Sequence, residues 1–351
     1  MYWKYAVKRI LYAFVMYAVI IFVFSGLFNA VAETVMRAQI SEAIRGYAQA
    51  LVQADRRLSG EQVQMMTEAR RQELFDQYRL NQPVLSRVFA RTFDTLQFKF
   101  GDSTIIRSSS GERDVWTIIA EAIPRTLLIF LTAVVLDIFL GIWLGLRKAR
   151  KAGSVMDRAT DIGTMVVFGL PAWWVGMMAI MTFAFVLPVF PSSGMHSAPP
   201  PPTSLGYLMD LLWHMTLPVL VLVVLGFWGR AYLTRNVVLT TLQEDFIMSA
   251  RARGLSERKI LFGHTLRSAA PPIVTMSLLA LLASVGGGLL FEGIFSWPGM
   301  GNLYWVAVGL NDVPVLMGNL AVTTALYMAG LVILDLIYGL LDPRIKVGGK
   351  A

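Results

Sequence analysis

The chain has 351 residues, of which 56% are hydrophobic and 15% charged, with nine Trp, no Cys and a formal net charge of +8. A soluble domain carries about 25% charged residues. Here several windows of 19 or more residues carry no charge at all, which excludes a water-soluble globule. The lack of Cys removes disulfides and thiolate metal sites.

About 20 consecutive apolar residues cross the hydrocarbon core as a helix. The first such run, residues 10–32, follows Lys4, Lys8 and Arg9. It exceeds the roughly 7–15 residues of a signal-peptide core, so residues 1–32 are expected to form a cytoplasmic N-terminus and an uncleaved first span. Residues 33–115 read as an external, mostly helical region, nearly neutral in charge. Its first half is rich in Ala, Gln, Glu and Arg, which favour helix, and two helices outside the membrane or along its surface are expected. Ser59, three residues before Gln62, has the spacing of a capping box. Asn81-Gln82-Pro83 is expected to end the second helix. A short helix with Phe89, Phe93, Phe98 and Phe100 follows. These rings suit either a membrane-interface belt or packing onto the membrane body. Residues 101–111 are polar and turn-rich.

Residues 116–342 hold the remaining spans. The second, 118–146, carries Asp137, and a basic loop with Arg147, Lys148, Arg150, Lys151 and Arg158 follows. The third, 162–189, is uncharged, and Pro171 is expected to bend it. A proline-rich loop leads to the fourth, 211–229. After a polar loop at 240–271 comes the fifth span, 268–291. Trp297-Pro298-Gly299 interrupts the next apolar stretch, which reads as re-entrant or surface-lying. Residues 313–341 form the sixth span and residues 343–351 a tail. The N-terminus, the two basic loops and the tail hold eighteen Lys and Arg, and the two short intervening loops hold none. That asymmetry predicts six spans with both termini in the cytoplasm. It also places the positive charge at the membrane surface, leaving no case for nucleic acid.

The 240–271 loop is the organising stretch. Thr241 and Glu244 have capping-box spacing, and a helix from there would put Leu242, Phe246 and Ala250 near one face. Gly254 suits the left-handed turn that ends a helix. Ser256 suits the cap of a second helix running to Pro271-Pro272. Ser249, Ala250, Ala252 and Gly254 permit close backbone approach, and the arginines offer donors to carboxylates. The residues alone leave two readings open: an interfacial helix on anionic lipid, or a dock for a soluble partner. Asp137 and Asp335 lie inside spans, where acids mark proton relays or helix–helix bonds. His196 near Ser192 and Ser193 raises an intramembrane hydrolase, but no G-x-S-x-G elbow and no HExxH motif occurs.

The loop DFIMSARARGLSERKILFGHTLRSAAPPIV resembles the permease subunits of ABC importers of the dipeptide, oligopeptide and nickel type, in their first-permease (DppB/OppB-like) branch. Asp245, Ala250, Arg251, Ala252, Gly254, Leu255, Ser256, His264, Leu266, Arg267 and Pro272 fall on the branch's pattern, with Arg253 in place of its Lys. The broader E-A-A-x-x-x-G pattern of such permeases is matched only from Ala250 on, since Met248-Ser249 replaces its start. Residues 171–176 resemble P-x-F/W-W-x-G, 292–301 resemble E-x-I-F-x-W-P-G-L/M-G, and 338–344 resemble Y-x-x-L-D-P-R. The segment 32–76 is longer than the family's.

This resemblance implies an all-α, six-span permease of the type I importer fold with a helical external insertion. It implies a second homologous permease, two cytoplasmic ABC ATPases and an external solute-binding protein as partners, alongside membrane lipid. It assigns ATPase coupling to Asp245, Phe246, Ser249, Ala250, Arg251, Arg253, Gly254, Leu255 and Ser256. Pro171, Trp174, Gly176, Glu292, Trp297, Pro298, Gly299 and Asp335 become structural or gating candidates. No catalytic, cofactor or metal residue is expected, because ATP and Mg would sit on the partner ATPases and the chain has no G-x-x-x-x-G-K-[ST] loop.

Overall fold

The structure, a computed structural model, describes residues 2–54, 58–77 and 80–341. The tail beyond Leu341, including the end of the 338–344 motif, lies outside them. The described residues are mostly helical, with longer irregular stretches at 97–114 and 187–203, and the one strand-like pairing among them is an isolated bridge between Asp102 and Asp114.

Five helices are long and apolar enough to cross a membrane, and a sixth crossing results if one sharply bent pair counts as a single span. The chain is thus an all-α polytopic membrane protein. It divides into two compact units, residues 1–119 with 306–328, and residues 120–305 with 329–351.

In the first unit, α1 (Tyr2–Ala54) runs without a break for 53 residues. The apolar stretch Trp3–Val31 and the expected first outer helix are therefore one rod. No proline interrupts it, and its two glycines, Gly26 and Gly46, cost about 1 kcal/mol each against Ala, too little to break a helix of strong formers. After it come α2 (Gly60–Gln77) and α3 (Val84–Leu96). The capping box at Ser59 forms as expected: the Gln62 N–H donates to Ser59 Oγ (3.2 Å), and the Ser59 N–H donates to Gln62 Oε1 (2.9 Å). Ile40, Ile44 and Leu80 bury a small core that ties α2 to α1. Phe89 and Phe93 stay exposed on α3.

The irregular segment before α4 (Val115–Arg150) is held by Asp312, which is fully buried. Its Oδ2 accepts from the Ser103 hydroxyl (2.6 Å) and the N–H groups of Ile105 (3.0 Å) and Ile106 (3.3 Å). Burial alone would raise this carboxyl. The Ser103 hydroxyl and the backbone donors outweigh burial and hold it below the ordinary aspartate range. This fixes the start of α13 (Val313–Leu341), where Val313 and Met317 pack on Phe24 and Phe28 of α1.

In the second unit, α5 (Val155–Phe168) and α6 (Ala172–Ile180) meet at 96°. Pro171 breaks the third span rather than merely bending it. Proline disfavours helix in the residue before it, and it takes the N-cap position of α6 with φ −65° and ψ 133°. Wide π turns at Met181–Val186 extend α6. Helix α7 (Ser204–Leu242) is capped by Thr203, whose side chain accepts from the Gly206 N–H. It runs 13 residues past the expected end of the fourth span at 229. Then come α8 (Asp245–Ala252), α9 (Glu257–Lys259), π turns at Ile260–Thr265 and α10 (Leu266–Ala283).

Pro271 and Pro272 lie inside α10 instead of marking its start. Each removes a bond to the carbonyl four residues back. Those carbonyls belong to Arg267 and Ser268, both exposed, so the helix continues. The fifth span ends in a tight turn at Ser284–Gly286, short of residue 291. Two short helices, α11 (Leu289–Ile294) and α12 (Met300–Leu310), follow; α12 is apolar but too short to rank with the candidate spans.

Replacing the Ser59 hydroxyl tests the local helix start. Ser59→Ala should cost about 1 kcal/mol of α2 stability, seen as roughly fivefold faster amide exchange at residues 61–64, with α1 unaffected.

Candidate functional site

Two stretches far apart in sequence, around Gly176 and Phe291, meet in the second unit. Gly176 on α6 is buried against Phe291, Ile294 and Phe295, and a Cβ there would lie 2.7 Å from Ile294. The segment 287–302 closes around Glu292, which is wholly buried. The Thr126 hydroxyl donates to Glu292 Oε1 (3.1 Å) and lies 3.3 Å from Oε2. The Gly288 N–H donates to Oε1 (3.3 Å), and those of Gly301 (3.0 Å) and Asn302 (3.4 Å) donate to Oε2. Thr126 Oγ1 in turn accepts from the Met300 N–H at 2.7 Å. The carboxylate thus sits at the N-terminus of α12, where free N–H groups and the helix dipole favour an anion.

Glycines make room for this clip. Gly287 has φ +65°, a conformation that side chains resist, and a Cβ at Gly299 would collide with Glu292 and Thr126. At Gly301 a Cβ would lie 2.6 Å from the Gly288 carbonyl oxygen. Trp297 is fully buried, and its indole N–H donates to the Arg125 carbonyl at 2.8 Å. Pro298 is half-buried beside it. Of the remaining candidates in this group, Pro171 starts α6, Trp174 is exposed, and Asp335 is half-buried on α13 and has a partner of its own.

The 240–271 loop departs from expectation at its start. Thr241 does not cap α8. It belongs to the last turn of α7, and its hydroxyl donates to the Val237 carbonyl (2.9 Å). Glu244 takes the N-cap position without a side-chain bond. That register turns Ile247 and Ala250 inward onto Ile260, with Leu242 and Leu255 alongside. Phe246 does not share the buried face with Ala250; it points outward with Met248, Ser249 and Arg251.

Gly254 has φ +78° and ends the helix by the left-handed turn its position demands. Arg251 donates to Glu257 Oε1 (2.8 Å) across that turn, and Arg253 Nε donates to the Ser249 carbonyl (3.3 Å). Asp245 is the first residue of α8. Ser256 takes the N-cap position of α9, with no side-chain bond. The result is a short rigid helix with a locked inner face and an outer face carrying two large apolar side chains.

Ion pairs that the sequence reading did not single out join the helices of this unit. Arg230 donates through Nε (3.0 Å) and Nη2 (2.6 Å) to Asp137 Oδ2. Lys148, read as a loop charge, is fully buried on α4 and bonds to Asp161 at 2.7 Å. Arg235 grips both oxygens of Asp157 at 2.6 Å. The continuation of α7 past residue 229 was the missing signal, since it places Arg230 and Arg235 on a helix facing α4 and α5 rather than in a loop. His196 and Ser197 both bond to Asp210 (3.2 and 2.7 Å) instead of to each other, and the His196 ring stacks on Tyr207.

Truncation separates these roles. Glu292→Ala orphans the Thr126 hydroxyl and buried N–H groups, at about 1–3 kcal/mol each; unfolding in detergent should come several degrees lower. Arg230→Met leaves Asp137 buried and unpaired, a loss of about 3–5 kcal/mol. Adding Asp137→Leu should restore most of it in the same melting experiment.

Both the 240–271 loop and the 287–302 segment lie in a region similar to known proteins. The family model described as "binding-protein-dependent transport system inner membrane component" matches residues 137–347. The oligopeptide transport system permease protein AppB of Bacillus subtilis is 30% identical over 281 residues, covering 80% of this chain and 86% of that protein. The inner membrane ABC transporter permease protein YejB of Escherichia coli O157:H7 is 32% identical over 284 residues, covering 79% and 76%. The di/tripeptide transport system permease protein DppB of Pseudomonas aeruginosa is 28% identical over 311 residues, covering 83% and 91%. With 211 of its 351 residues inside that model, this chain belongs to the family of binding-protein-dependent transport inner membrane components.

Proposed function

We propose that the chain is one membrane-spanning permease of an ATP-driven importer with the type I fold, set in a bacterial plasma membrane. It crosses six times, with the bent pair α5–α6 as one span and both termini in the cytoplasm. A second homologous permease completes the path, two cytoplasmic ABC ATPases drive it, and an external solute-binding protein delivers the cargo. The cargo is a peptide or a similar small solute, as the names of the relatives from B. subtilis and P. aeruginosa suggest for those proteins.

The observation that carries this reading is the geometry of α8. Its inner face, Ile247 and Ala250, is locked onto Ile260, so the helix moves with the chain that follows it. Its outer face offers Phe246 and Met248 to a partner. A helix that passes ATPase closure into the spans needs both properties: a rigid attachment on one side and a graspable apolar surface on the other. Ala250, expected among the partner-facing residues, instead belongs to the attachment. The Glu292 clip serves as a fixed point at the other end of α10, holding segment 287–302 together while the spans shift.

The alternative is a proton-coupled transporter working through Asp137 and Asp335; against it stands the pairing of Asp137 Oδ2 with Arg230.

Met248→Glu, alone or with Phe246→Asp, should leave membrane insertion unchanged and abolish co-purification of the ATPase subunits. Normal ATPase recovery with normal uptake would remove the coupling assignment. Uptake should also persist when an ionophore collapses the proton gradient and stop when ATP is depleted; the reverse pattern would make the chain part of a gradient-driven carrier.

A further inference from the structure

A cavity of about 390 Å³ opens in the first unit where the apolar stretch of α1 gives way to Asn29 and Glu33. Its size falls within the roughly 300–1,000 Å³ of small-ligand sites. Its lining includes the apolar side chains of Phe100, Val313 and Met317 and the cationic ones of Arg87, Arg91 and Lys99.

The two arginines are incompletely satisfied. Arg87 has a side chain only 9% exposed and donates through Nη2 to Glu33 Oε2 (2.7 Å), but its Nε is buried with no acceptor. Arg91 Nη1 is likewise buried with no acceptor. Glu33 also accepts from Arg37 Nη2 at 2.9 Å, so its single negative charge is shared between two guanidinium groups. Bonds from Arg87 first, then Arg37, hold its carboxyl below the ordinary range. Asp94, the other acid of the lining, has a partner of its own. Burial lowers the Arg91 pKa, and the neighbouring charge of Arg87 lowers it further, as befits a cation without a counter-charge. Buried charged donors without acceptors are costly unless a ligand completes them.

Two guanidinium groups and an ammonium around one cavity match a phosphate, whose oxygens accept from several directions at once. The apolar part of the lining and the position at the end of a membrane-crossing stretch match a phosphate that comes with acyl chains. We propose that this cavity binds a phosphate group, carried by an anionic phospholipid whose chains lie along Phe100, Val313 and Met317. Free phosphate is the other source of the same chemistry. The site is independent of the transport reading.

The test uses the full chain in detergent, with lipid retention measured by native mass spectrometry. Phosphatidylglycerol should be retained about tenfold more tightly than phosphatidylcholine. Arg91→Gln should abolish that preference. Arg71→Gln, which removes a charge paired with Glu68 away from the cavity, should leave it intact. Should Arg91→Gln fail to fold, Lys99→Gln on the exposed rim should weaken the preference in its place. Inorganic phosphate binding in an Arg91-dependent way, with lipid retention indifferent to Arg91, would overturn the lipid source. Indifference of both probes to Arg91 and Lys99 would overturn the site itself.

Discussion

A buried carboxyl group with no ion-pair partner among the described residues organises the most unusual segment of this molecule. Glu292 is shielded from water and offsets that burial by collecting a hydroxyl from Thr126 and N–H groups from Gly288, Gly301 and Asn302. The donors come from three separate stretches of chain, α4, the turn at Gly288 and the first turn of α12, so the acid is fully satisfied only when all three converge. The glycines at 287, 299 and 301 then follow as steric requirements, because any side chain at those places would occupy the volume of the acid or of the neighbouring backbone. Irregular backbone at membrane depth is tolerated only when its polar groups are satisfied within the protein. This clip supplies such partners to its own polar groups, which allows α10 to end and two short helices to follow.

The ion pairs Arg230–Asp137, Lys148–Asp161 and Arg235–Asp157 tie α4, α5 and α7 together within the second unit. Buried pairs add little net stability but strongly penalise any arrangement that separates them. They therefore select a register between helices whose apolar faces alone are nearly interchangeable. Gly141 and Gly226 bring the Asp137 pair close: a Cβ at either position would press on Arg230 or on Asp137.

The apolar runs, a distortion at Pro171, the Ser59 cap and the glycine turn at 254 were legible from residue types, because each reflects a local steric, solvation or hydrogen-bonding rule; that Pro171 breaks the helix outright was not. Nor was the face of α8. Moving the helix start from Thr241 to Glu244 left Phe246 outside and turned Ile247 inward, and that shift depends on α7 continuing to Leu242, a tertiary outcome. The continuity of α1 was hidden for a similar reason: hydropathy marks where a membrane stretch ends, but not whether the helix does. Glu292 was recognisable as part of a motif, whereas Thr126, its partner from 166 positions earlier, carries no sequence signal.

The unbroken α1 has a mechanical consequence. At 1.5 Å per residue, the 23 residues beyond its apolar stretch extend for about 35 Å. A tilt of about 10° at the membrane would carry the tip of that length through roughly 6 Å. A continuous helix of this length thus converts any small lean of its apolar stretch into a displacement at its end as wide as a side chain is long.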